Sequence, residues 1–194
     1  YIIDYHVEVE GSIAEAAKGF SPPVLYEEGR KVQFPWLFKF LKKPATLRPW
    51  LEVRMPTFNF HNNEIKSIIR YFAEMDSAQY PFEFFKETDQ DYIVVKDGKI
   101  PGYLKKARTL FESKDVDWAP ELSLASPRLK PKWIERWLLD PQLIQPGTKM
   151  PKFFREGVFQ NIFPGTPEVQ IEAIKDLLMN FPEEMTKQKE NKKL

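Results

Sequence analysis

The chain has 194 residues, and its 29 basic and 28 acidic side chains give a net charge of +1. This balance gives no reason to expect nucleic acid as a partner, and no run of about 20 apolar residues predicts a membrane span. Because the chain contains no cysteine, disulfides, thiolate catalysis and thioether attachment through these residues are excluded.

The first half of the chain predicts two helices separated by a proline-rich loop. From Trp36 to Lys43 the apolar residues follow a helical i, i+4 stripe, and Pro44 prevents the helix from continuing. A second apolar stripe on residues 62–72 predicts an amphipathic helix behind an Asn or His cap. Between these helices, Met55 lies directly before a proline.

Residues 79–100 differ in character and predict a linker with a small hairpin. Their Asp97-Gly98 step is flanked by β-branched residues, a pattern typical of a hairpin turn. After this linker, the apolar spacing from Tyr103 to Ser113 predicts a helix that opens the second half.

The second half repeats the helix, loop and closing helix of the first. Residues 133–139 predict a helix that Pro141 terminates, and Met150 again precedes a proline. Thr166 predicts the cap of a closing amphipathic helix that begins with proline. The polar tail, residues 183–194, has no periodicity and is expected to be frayed or disordered.

The two halves are copies of one another. Six residues of the first half recur in the second at an offset of 97, namely Pro23, Leu25, Trp36, Leu41, Pro44 and Pro49. The Met-Pro pairs follow after a two-residue deletion. A long period that occurs only twice indicates a duplicated domain rather than a solenoid. We therefore predict domains at 1–78 and 101–182, each with one equivalent site.

A methionine that precedes a proline is held in an extended conformation, so its loop can point the thioether at a fixed place. Thioether sulfur is a soft, neutral ligand that suits haem iron or copper(I). A lone methionine more commonly fills a gap in a core. The matched positions of Met55 and Met150 favour paired ligands instead, and a copper site would need further Met, His or Cys ligands.

At these residues the chain resembles the cytochrome c family, and it is most similar to bacterial di-haem cytochrome subunits. The resemblance covers about residues 14–74 and 104–181. It is carried by Pro23-Val24-Leu25 and Pro120-Glu121-Leu122, by the two tryptophan helices, and by Arg54-Met55-Pro56-Thr57-Phe58 and Lys149-Met150-Pro151. The resemblance implies an all-α fold of two tandem cytochrome c-like domains with proline-rich loops.

The resemblance also implies two haem c groups and the residues that contact them. Met55 and Met150 match the distal axial ligands, and Arg128 is the candidate partner of a haem propionate. The family's Pro-x-Leu element, whose proline carbonyl accepts the N–H of the proximal histidine, is matched by Pro23, Leu25, Pro120 and Leu122.

Both copies lack the Cys-x-x-Cys-His motif by which this family attaches haem. We expect these motifs in the native protein before Tyr1 and between Asp115 and Val116. The alternative is a haem-less cytochrome c-like subunit with a structural or assembly role.

The function that the resemblance implies is electron transfer rather than enzymatic catalysis. His–Met ligation raises the potential of haem iron, which suits a carrier with no small-molecule substrate. The expected partners are a redox enzyme or other cytochromes. The expected location is the periplasm or an equivalent extracytoplasmic compartment, because the family acquires haem c outside the bacterial cytoplasm.

Overall fold

The computed structural model describes residues 4, 7, 8, 25–47, 54–113, 122–146, 148 and 150–181. Within these ranges the chain is helical, with connecting loops and one isolated β-bridge but no named strand. The predicted all-α class is confirmed. The polar tail and both expected attachment segments lie outside the described residues.

The helices of the described residues are numbered here in chain order. They are α1 (Glu28–Lys31), α2 (Phe34–Lys42), α3 (Asn62–Met75), α4 (Gln90–Lys99), α5 (Tyr103–Glu112), α6 (Ala125–Arg128), α7 (Pro131–Leu139), α8 (Pro141–Ile144) and α9 (Pro167–Met179). Single 3₁₀ turns at Lys86–Thr88 and Leu122–Leu124 precede α4 and α6.

Helices α2 and α3 form at the places that the sequence predicts. Helix α2 ends at Lys42, two residues before Pro44, and buries Leu37 and Leu41. Helix α3 begins after His61, whose backbone N–H donates to the Glu64 carboxylate at 2.7 Å in a capping box. The two helices pack against each other through their apolar faces.

The second half is built in the same way around a more deeply buried closing helix. Helices α5 and α7 match their predicted positions within two residues at each end. Helix α9 starts with Pro167 directly after Thr166, and it packs against both α5 and α7. Because it is covered on several sides, α9 buries polar as well as apolar residues.

The predicted linker hairpin is wrong, because residues Gln90–Lys99 form helix α4. The Asp89 side chain caps this helix by accepting from the backbone N–H of Asp91 at 3.0 Å. The Asp97-Gly98 step closes the helix instead of turning a hairpin. The Asp97 carboxylate accepts from the backbone N–H of Tyr103 at 3.0 Å and thereby joins α4 to α5.

Buried apolar side chains form two clusters, one in each half. The first lies between α2 and α3 and includes Val32, Leu37 and Ile65. The second surrounds α9, and the linker residues Phe85 and Ile100 pack against it. The domain boundaries drawn from the sequence stay predictions.

The halves meet at one antiparallel bridge between Val32 and Leu129. These residues are 97 positions apart, which is the offset of the repeat. The backbone N–H of Gln33 donates to the carbonyl of Arg128 at 2.8 Å, and the N–H of Lys130 donates to the carbonyl of Lys31 at 2.9 Å. Since each bond is the repeat equivalent of the other, the contact has the reciprocal form of a two-fold interface.

Candidate functional site

Met150 lies in a loop that follows α8, against the core of the second half. It is partly buried and packs on the cluster that includes Phe154 and Ile174. The amide of Gln142, in helix α8, donates to the carbonyl of Thr148 at 2.5 Å. This bond holds Thr148, two residues before Met150, beside α8.

The Met150 sulfur has a specific partner in Trp137. The indole Nε1–H of Trp137 donates to Met150 Sδ, with 3.0 Å between the two atoms. Trp137 is itself oriented by Trp133, one helical turn earlier, with ring centroids 5.2 Å apart and planes at 14°. Stacking on α7 therefore aims the indole N–H at the thioether.

Met55 is placed differently, in the exposed segment 54–59. About 40% of its surface is accessible, and Phe58 nearby is also exposed. The ring that corresponds to Trp137 is Phe40, which stacks on Trp36 with centroids 4.8 Å apart and planes at 13°. Phenylalanine has no N–H, so this ring cannot donate to a sulfur.

Side chains repeat the reciprocal pattern of the inter-half bridge. The amide of Gln33 donates to the Ser126 carbonyl at 2.6 Å, and the Lys130 ammonium donates to the Gly29 carbonyl at 2.7 Å. Gln33 and Lys130 are repeat equivalents, as are Gly29 and Ser126. In each half, a side chain thus donates to the equivalent backbone carbonyl of the other half, although one donor is an amide and the other an ammonium.

Cations from each half also cover the tryptophan of the other. The Arg128 guanidinium lies 5.1 Å from the ring centroid of Trp36, and the Lys31 ammonium lies 5.8 Å from that of Trp133. Arg128 is thus placed at the inter-half interface by a cation–π contact. Its expected role toward a propionate stays a prediction.

Lys130 is the most deeply set cation of this interface. It forms an ion pair with Glu83, and the side chains of both residues are about nine-tenths buried. Its ammonium also lies 3.8 Å from the ring centroid of Phe34. Burial lowers the pKa of Lys130, and the Glu83 carboxylate partly opposes that effect. The pair fixes the linker to the interface.

A second buried ionic group lies on α9 and was not predicted from the sequence. The Lys175 ammonium is 3.0–3.1 Å from carboxylate oxygens of Glu87, Glu135 and Asp176. Burial raises the pKa of Asp176, although Lys175 and the Tyr103 hydroxyl, which donates to Asp176 at 2.7 Å, oppose that rise. Lys175 and Asp176 stand between apolar pairs in the sequence. Because a helix that is apolar on nearly all sides is buried, this pattern could have indicated that Lys175 and Asp176 are buried too.

The remaining predicted site residues are only partly described. Leu25 is 62% exposed, and Leu122 is partly buried and packs on the second core. Pro23 and Pro120 lie outside the described residues. The structure therefore does not bring Leu25 and Met55 into a closed pocket of described residues.

The described residues fit the distal side of a haem better than its attachment. The side chains of Met55 and Met150 are thioethers, the soft donors that haem iron accepts, and Met150 has apolar neighbours in the core of the second half. The 194 residues contain no cysteine for a covalent bond. Met55 and Met150 therefore offer soft sulfur donors, and the chain holds no thiol for covalent attachment.

No family model, curated protein or solved structure matched the chain. Of the helices in the described part of the chain, none combines the length and apolar character needed to cross a membrane.

Proposed function

We propose that this chain is a tandem cytochrome c-like subunit that transfers electrons with a redox enzyme or other cytochromes. The observation that carries the proposal is the duplicated Met-Pro loop, which places Met55 and Met150 after equivalent helices α2 and α7. Two equivalent thioethers on one chain suit two one-electron sites better than two core gaps.

The chain's own residues have defined tasks in this proposal. Met55 and Met150 each offer a sulfur, and the following prolines keep those sulfurs presented. Haem iron, when bound, supplies the change of oxidation state. The reciprocal contacts at Val32 and Leu129 hold the two halves at a fixed separation, which a relay between two sites requires. The proposed location is the bacterial periplasm or an equivalent compartment.

A second candidate is a haem-less structural or assembly subunit of such a complex. Two observations favour it. The 194 residues contain no cysteine, and the Met150 sulfur already has a protein partner in Trp137. In this case the methionines act as packing residues.

The two candidates differ in the visible spectrum and the intact mass of the protein isolated from its natural source. The electron carrier is expected to absorb strongly in the visible region, to change its spectrum on reduction, and to exceed its polypeptide mass by two haems. Replacing Met55 or Met150 with leucine is then expected to alter the spectrum. Met75→Leu is the matched control, because Met75 is 66% exposed on α3. A colourless protein whose mass is that of its polypeptide alone contradicts electron transfer and favours the assembly role.

A further inference from the structure

The two methionines differ in one contact that the duplication does not predict. Met150 Sδ accepts a hydrogen bond from Trp137, whereas the equivalent ring of the first half, Phe40, has no donor. The stacked pair on α7 matches the stacked pair on α2 in spacing and plane angle. The difference therefore lies in the N–H group and not in the position of the ring.

We infer that Trp137 is a positioning residue for Met150 and that it makes the two methionine sites unequal. A thioether sulfur has two lone pairs. The indole occupies one and leaves the other free for a soft metal. A sulfur that accepts a hydrogen bond donates less electron density, so a metal at Met150 is expected to favour its reduced state more than one at Met55. This last step rests on the proposed function, whereas the hydrogen bond and its effect on sulfur reactivity do not.

Sulfur reactivity can be measured on the 194-residue chain without any haem. Hydrogen peroxide oxidises methionine when a sulfur lone pair attacks one peroxide oxygen. The S–O bond forms, the O–O bond breaks, and water leaves with both peroxide protons to give the sulfoxide. Peptide mass spectrometry after timed exposure gives a rate for each methionine separately.

The expected result is that Trp137→Phe speeds oxidation of Met150 about fivefold, because a sulfur freed from a hydrogen bond worth about 1 kcal/mol is a stronger nucleophile. Met55 is expected to keep its rate. Trp36→Phe, the same substitution at a stacked ring in α2, is the matched control and should leave Met150 unchanged. Met179 is 2% exposed, so its slow oxidation reports that each variant is folded. An unchanged Met150 rate in folded Trp137→Phe overturns the inference.

A second measurement decides the matter if Trp137→Phe does not fold. In Met150→Leu the Trp137 indole loses its acceptor, so its Nε1–H is expected to exchange with solvent severalfold faster by NMR, while that of Trp36 does not change. Equal exchange before and after the substitution also overturns the inference. For haem-loaded protein, Trp137→Phe should lower one redox midpoint and leave the other in place. A protein without haem contradicts the proposed function but leaves the peroxide and exchange results valid.

Discussion

Replacing Lys130 with methionine tests the ion pair at the interface between the two halves. Methionine keeps an unbranched apolar stem but removes the charge. Glu83 then stays buried, with the backbone N–H of Phe34 at 2.9 Å as its remaining described donor. The Gly29 carbonyl also loses the ammonium that donates to it at 2.7 Å.

The expected loss is large because removing one partner leaves a buried carboxylate uncompensated. Breaking a buried pair in this way costs about 3–5 kcal/mol of unfolding free energy. With a urea m-value of about 2–3 kcal/mol/M, the unfolding midpoint should fall by about 1–2.5 M. Circular dichroism during urea titration measures this shift directly.

Two further variants make the Lys130 result specific. Lys132→Met alters an exposed lysine in the first turn of α7, two residues after Lys130, and its unfolding free energy should stay within about 0.5 kcal/mol of the native value. Combining Lys130→Met with Glu83→Gln removes the unpaired charge, so part of the lost stability should return. If Lys130→Met lowers the midpoint no more than Lys132→Met does, the pair is not desolvated and the reasoning fails.

Two other predictions concern the packing of α1 and the buried tyrosine of α5. Gly29→Ala should destabilise the protein by about 1–3 kcal/mol, because a Cβ there overlaps the Phe72 carbonyl. Gly98→Ala should instead stabilise it by about 0.5–1 kcal/mol, because Gly98 lies within α4 and a Cβ there meets open space. Thermal unfolding of both variants gives the comparison, and a neutral Gly29→Ala would refute the close approach. Burial, followed by the Asp176 carboxylate, raises the pKa of Tyr103 far above its ordinary value of about 10. Above a pH of about 10, Tyr103 loses its proton in the unfolded chain but keeps it in the native chain. The free energy of unfolding therefore falls there by about 1.4 kcal/mol for each pH unit of increase. Tyr103→Phe should make this alkaline fall less steep in urea titrations between neutral and alkaline pH, and an unchanged slope would show that the tyrosine ionises in the native state.

The helices were largely predictable because their limits depend on local residues. Pro44 excludes continuation of α2, and Thr166 with Pro167 starts α9, whatever the rest of the chain does. The prediction of a hairpin in the linker was wrong because the limits of that element depend on more than local residues. An Asp-Gly step suits both a hairpin turn and the last turn of a helix, and the Asp89 cap together with the Asp97 bond to α5 favours the helix.

The sequence by itself determined the 97-residue repeat, and with it the prediction that Met55 and Met150 are equivalent. The tertiary structure decided how the copies meet and how their methionines differ. The offset of 97 residues does not imply that Val32 pairs with its own equivalent, Leu129, because the relative placement of two domains depends on surface complementarity between distant residues. The bond from Trp137 to Met150 likewise spans a helix end and a loop. Its geometry depends on how α7 and α8 pack, which no local pattern specifies.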